Sequence, residues 1–237
     1  SDLGLPVAFI RTAADGTDRW WANAGAMFKT TGINPEAGWV QDALANSPTA
    51  GLYDAKEFQD ALLIPTDTDI DRLSTSWTTN WWSGLAGEPA AMLSGVPHRF
   101  GIFAAAILIT DGRFINTYDG TTGTDPALTL PNELEAQWII PLADYAMIGC
   151  NGVGDNQEAE VFFWDRISQT YNARYAVGDR IILAGFVANG IAYIITKRGE
   201  IKRFTGNGFR TVNQFPTVEL SRDIRNIHPN GVTVNEN

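Results

Sequence analysis

Five short apolar runs recur along the chain, and they limit the folds open to it more than any other feature. They are VAFIRT (7–12), ALLIPT (61–66), AILITD (106–111), YAMIGC (145–150) and AYIITK (192–197). Each has isoleucine in fourth place: Ile10, Ile64, Ile109, Ile148 and Ile195, spaced 54, 45, 39 and 47 residues apart. Three copies continue alike. Six residues after the anchor stands Ile70, Ile115 or Ile201, and nine after it Leu73, Tyr118 or Phe204. Eleven after it, two copies have glycine, Gly120 and Gly206, and the third has Thr75. The second strands of the other two copies, RWW (19–21) and EVFFW (160–164), follow insertions. A period of about 40–50 residues with this strand–turn–strand content is that of a sheet-forming repeat.

Turn chemistry supports hairpins. Asp111-Gly112 and Gly199 stand where a tight loop needs residues that tolerate positive φ, whereas PTDTDI (65–70) has no glycine and must close differently. The strands are β-branched and aromatic but alternate imperfectly, as expected of sheets covered on both faces. Runs ending at Pro97 (MLSGVP), Pro131 (ALTLP) and Pro216 (VNQFP) read as outer strands before a crossover. The repeats fall at 5–48, 49–97, 98–137, 138–178 and 179–220, within one domain of 237 residues, with 221–237 opening or closing a further strand pair. NPEAGWVQDALANSP (34–48), with Asn34 as N-cap and Pro35 in the first turn, predicts a short helical insertion. DAKEFQDALLI (54–64) reads as a turn into a strand.

Period and pattern together resemble the β-propeller proteins, without the Trp-Asp and Gly-His signatures of WD40 repeats or the double glycine of kelch. The fold expectation is all-β: about five blade-like repeats, closed or an arc of a larger ring. DGRFINTYDG (111–120) and RGEIKRFTGNGF (198–209) further resemble propeller segments of bacteriophage particle proteins. That resemblance implies a virion or tail component in a virion or extracellular location.

Composition excludes several functions. With 44% hydrophobic and 19% charged residues, a packed core is easily supplied. The net charge of −10 and the lack of a basic stripe argue against nucleic acid and anionic membranes as partners. The single cysteine, Cys150, excludes an internal disulfide and a Cys-rich zinc site. No basic-then-apolar leader, membrane-spanning run or glycosylation sequon is visible, and the start and end of the sequence read as those of a segment of a longer polypeptide.

Candidate chemistry is sparse. Asp67, Asp69 and Asp71 alternate like the start of a calcium loop, but Arg72 and Thr78 stand where Gly and Glu are required, so a polar hairpin is the simpler reading. GCNGVGDNQEAE (149–160) lacks phosphate-loop residues and reads as an extended hairpin loop. His98 and His228, each beside proline, read as structural histidines, and Cys150 as a buried small hydrophobe. Tryptophan carries more information. Trp77, Trp81 and Trp82 lie among small polar residues in STSWTTNWWSG (74–84), where indoles either pack between sheets or bind a sugar or protein partner.

The expected function is a non-enzymatic structural and interaction module, with no cofactor, that contacts other virion or assembly proteins or a host surface glycan. A lectin-like sugar-binding propeller is the alternative. A glycan hydrolase is the third reading; TAADGTDRWW (12–21) resembles an Asp box loosely and only once.

Overall fold

The computed structural model describes residues 7–12, 18–23, 26–31, 40–43, 54–85, 91–131, 133–154, 157–165 and 171–214, with side chains from 54 onward except at 171, 172 and 214. Among them there are no helices. Twenty strands form five four-stranded antiparallel sheets, each a meander of consecutive strands. The sheets are β1(Val7–Thr12) to β4(Val40–Ala43), β5(Lys56–Phe58) to β8(Trp77–Thr78), β9(Phe100–Phe103) to β12(Gly123–Thr129), β13(Leu134–Leu142) to β16(Tyr171–Ala176), and β17(Ile182–Ala188) to β20(Phe209–Gln214). The fold is all-β and built of blade-like repeats of the propeller kind. The chain divides into two compact units, 1–98 with 120–123 and 99–119 with 124–237.

Four of the anchors are core residues: Ile64, Ile109 and Ile148 are wholly buried and Ile195 nearly so, while the side chain of Ile10 lies outside the described ones. The exit glycines Gly120 and Gly206 take φ of 102° and 88°. The anchor strands β6, β10, β14 and β18 are second in their sheets, because a hairpin precedes each. The turns of those first hairpins are Gln59-Asp60, Ala104-Ala105, Ala143-Asp144 and Asn189-Gly190, and positive φ occurs in all four. Only the last has residues that announce such a turn. The glycine-free PTDTDI loop closes on Thr66, whose amide and hydroxyl both donate to Asp69 O while its Oγ1 accepts from Asp69 N.

Three expectations change. The helix at 34–48 gives way to strand β4 over Val40–Ala43, paired with β3; the remainder of that stretch lies outside the described residues. Pairing thus overrides a short segment's helical pattern. MLSGVP is not an outer strand. Met92 N donates to Thr68 O, and Asp67 ties down Ser94 and Gly95, so this segment packs as a loop and Trp77–Thr78 is the outer strand. The loop expected at 149–160 begins later, because β14 runs through Gly152. Strand β13 begins at Leu134. The proposed strand pair in 221–237 lies outside the described residues.

In the second unit the central sheet β13–β16 is buried on both faces. One face packs Leu134, Ala136, Ile139, Ile148 and Phe162 against Leu108 and Ile115 of the sheet before it. The other packs Trp138, Met147, Val161 and Phe163 against Ile182 and Ile194 of the sheet after it. Ala136 and Trp138 would share a face in a regular strand. The bulge between them in the β13–β14 register shifts the alternation, so they enter opposite cores.

Trp138 then lies over Gly149, its partner in β14, and reaches Gly185 in β17. A β-carbon at residue 149 would stand 2.0 Å from the indole, and one at residue 185 would stand 2.5 Å from it. Neither glycine has positive φ; both are required by closeness alone. The buried indole N–H has no hydrogen-bond partner, so packing is what holds the ring. Polar bonds fasten the same sheets: Ala136 N donates to Gly112 O, Gly152 N to Arg180 O and Ile182 N to Asn151 Oδ1. Cys150 is buried, and desolvation followed by the charge of Glu160 pushes its thiol well above the ordinary range, which makes it unreactive.

Two measurements check this account. Trp138→Ala is expected to cost about 3–5 kcal/mol in denaturant unfolding. Ala104 and Ala105, with φ of 57° and 63°, hold a conformation unfavourable to alanine. Ala104→Asn with Ala105→Gly should therefore stabilise the protein by about 1 kcal/mol, read from the same unfolding curves.

Candidate functional site

The tryptophan segment 74–85, the short strand β8 with the turns around it, is suspended from two buried aspartates. Asp69 Oδ1 accepts from the amides of Ile70 (2.7 Å), Trp82 (3.0 Å) and Ser83 (3.4 Å). Asp71 accepts from Trp77 Nε1 at Oδ2 (3.0 Å) and from Asn80 N at Oδ1 (2.9 Å). Ile70 O takes the amides of both Trp81 and Trp82. Asn80 turns the chain with φ of 50°. Asparagine tolerates this conformation better than most residues.

This geometry separates the three indoles. Trp82 is fully buried, a core side chain and no longer a contact candidate. Trp77 and Trp81 are half-buried, so each offers part of its ring to solvent. The Arg72 guanidinium lies 6.0 Å from the Trp81 ring centroid, at the outer limit of a cation–π contact. The result is two indoles, a guanidinium and the exposed polar groups of Asn80 and Ser83 on a rigid support.

The aspartates themselves are structural. Asp67 accepts from Ser94 Oγ at 2.6 Å and from Gly95 N at 3.0 Å. These two bonds, the serine's first, hold its carboxyl below the ordinary aspartate range. Asp67, Asp69 and Asp71 thus serve different donors instead of converging, and no metal-holding group of three or more acidic, His or Cys side chains occurs among the described residues. His98 is buried with Nδ1 3.1 Å from Thr66 O, a fold contact; His228 lies outside the described residues.

A second site escaped the sequence reading. In the last two sheets, an open pocket of about 400 Å³ is walled by Tyr145, Phe163, Tyr175 and Phe204, with Gly190 and Gly206 at hairpin turns on its border. Phe163 and Phe204 have centroids 4.8 Å apart, Tyr175 meets both rings edge-on, and Tyr145 stands at 86° to Phe163. Tyr175 Oη donates to Gly206 O at 3.3 Å. The four rings come from four strands spread over about sixty residues, so no local motif could show them together. One signal was available: Phe204 is the +9 position of its repeat.

No family model matches the chain, and no curated protein matches it. Solved structures do share its fold. The extracellular domain of BT4673 from B. thetaiotaomicron aligns with a TM-score of 0.64 at 11% identity, over 94% of this chain and 29% of that one. A chain of the mitotic checkpoint complex aligns at 0.60 and 11%, over 90% of this chain and 68% of that one. The computationally designed Ika8 protein aligns at 0.52 and 9%, over 88% and 61%. The chain thus spans under a third of the BT4673 domain, and at these identities the likeness is one of fold. No helix among the described residues is long and apolar enough to cross a membrane.

Asp69→Ala should cost about 1–3 kcal/mol and release the loop, because it strips the shared acceptor from partly buried amides. Hydrogen exchange should show faster exchange at Trp82 and Ser83, with the strands of the last three sheets unchanged.

Proposed function

We propose that the chain is a non-enzymatic interaction module of a larger assembly, a virion or tail particle, acting outside the cell. It would use the Trp77–Trp81 loop to grip a neighbouring protein or a host surface glycan. The observation that carries this reading is the loop itself. Asp71 accepts from the Trp77 indole itself, while Asp69 and Ile70 O hold the backbone amides of Trp81, Trp82 and Ser83, and a pre-ordered aromatic surface loses little entropy on binding. Other acidic side chains also have structural work. Asp179 caps the amides of Arg180 and Arg198, and Glu160 meets Arg174 at 2.7 and 2.9 Å. This favours a scaffold over the hydrolase reading.

The Arg72, Asn80 and Ser83 groups beside Trp81 support the second reading, a lectin-like site, since sugars are held by an aromatic face flanked by polar groups. Electron microscopy of the native particle with a labelled chain, together with a glycan array, separates the readings. Assembly incorporation that falls about tenfold in Trp81→Ala, at unchanged thermal stability, supports the interaction module. Array binding lost in the same variant supports the lectin. Incorporation and glycan binding both indifferent to Trp77→Ala and Trp81→Ala, or turnover of a glycoside, would overturn the proposal.

A further inference from the structure

The aromatic pocket of the last two sheets is independent of the tryptophan loop, and its lining selects a ligand class. None of its lining residues is charged. Sugars and phosphates need several convergent polar partners, which this pocket lacks. Its main recognition elements are ring faces and edges, and ring faces attract cations.

The charges around it agree. Arg203 precedes Phe204 and pairs with Arg210, while Phe204 pairs with Phe209, so strand alternation puts both arginines on the face away from the pocket. Arg174, next to Tyr175, is bound to Glu160 and lies 5.9 Å from the Phe162 ring centroid, toward the opposite core. Lys202 donates to Val177 O and meets Glu200. At the Tyr145 end two acidic residues stand among the described ones: exposed Asp144 precedes Tyr145 in the turn, and Asp165 is its cross-strand partner in β15.

We propose that this pocket binds an organic cation, an alkylated ammonium carried on an apolar or aromatic body. The ammonium sits against the rings of Tyr145, Tyr175 and Phe204 on the Asp144 side. The apolar body fills the remaining volume over Phe163.

The test uses the intact chain and benzyltrimethylammonium, followed by calorimetry and by the tyrosine ring resonances. Millimolar or tighter binding that shifts Tyr145 and Tyr175 is expected. Tyr145→Leu, at a position open enough to tolerate it, should weaken binding about tenfold, and Asp144→Asn a few-fold. Tyr175→Leu should do the same; if it unfolds, the Tyr145 and Asp144 variants still decide. Choline should bind more tightly than its neutral isostere 3,3-dimethyl-1-butanol. Absence of shifts at millimolar cation, indifference to both Tyr145→Leu and Asp144→Asn, or equal binding of the charged and neutral isosteres would overturn the proposal.

Discussion

Trp138 occupies space that two glycines leave open, and the second unit is organised around that contact. The indole lies over Gly149 of its own sheet and against Gly185 of the next, in the core that includes Met147, Val161, Phe163 and Ile194. Blade-like sheets must bury both faces while keeping neighbouring first strands close together. A large ring set into side-chain-free backbone meets both demands. The bulge before Trp138 makes this reachable, because without it the indole would face the core on the other side.

The aromatic pocket depends on the same arrangement. Phe163, Tyr175 and Phe204 belong to or border the core that contains Trp138, and they face open space where the hairpin turns bring small residues to the rim. The tryptophan loop of the first unit uses a different device, carboxylate acceptors that hold a run of amides. Both produce the same physical result: aromatic surface kept in place by buried structure.

Much of the architecture was legible in the sequence. Anchor isoleucines, exit glycines and the second hairpins could be read because a buried β-branched residue and a positive-φ glycine each carry a local signature. The first hairpins were missed because Gln59-Asp60, Ala104-Ala105 and Ala143-Asp144 are turns imposed by strand pairing, against the preference of their residues. Gly149 looked like loop punctuation because the need for it comes from Trp138, a neighbour only across strands. The helix expected at 34–48 had helical spacing locally, and pairing with β3 decided otherwise. Of the three indoles, Trp77 and Trp81 are part-exposed and Trp82 is buried. Trp82 could not be told from Trp81 by sequence, since adjacent residues leave a turn in opposite directions. Apart from Phe204 at its repeat position, the pocket's rings gave no local signal, because register across four strands assembles them.

The account's central claim is that Trp138 and Gly185 are coupled by contact, and a double-mutant cycle in chemical denaturation measures that coupling directly. Gly185→Ala should destabilise the parent protein by about 1–3 kcal/mol through overpacking, and should cost much less once Trp138→Leu has removed the ring. Strictly additive effects of the two substitutions would contradict it.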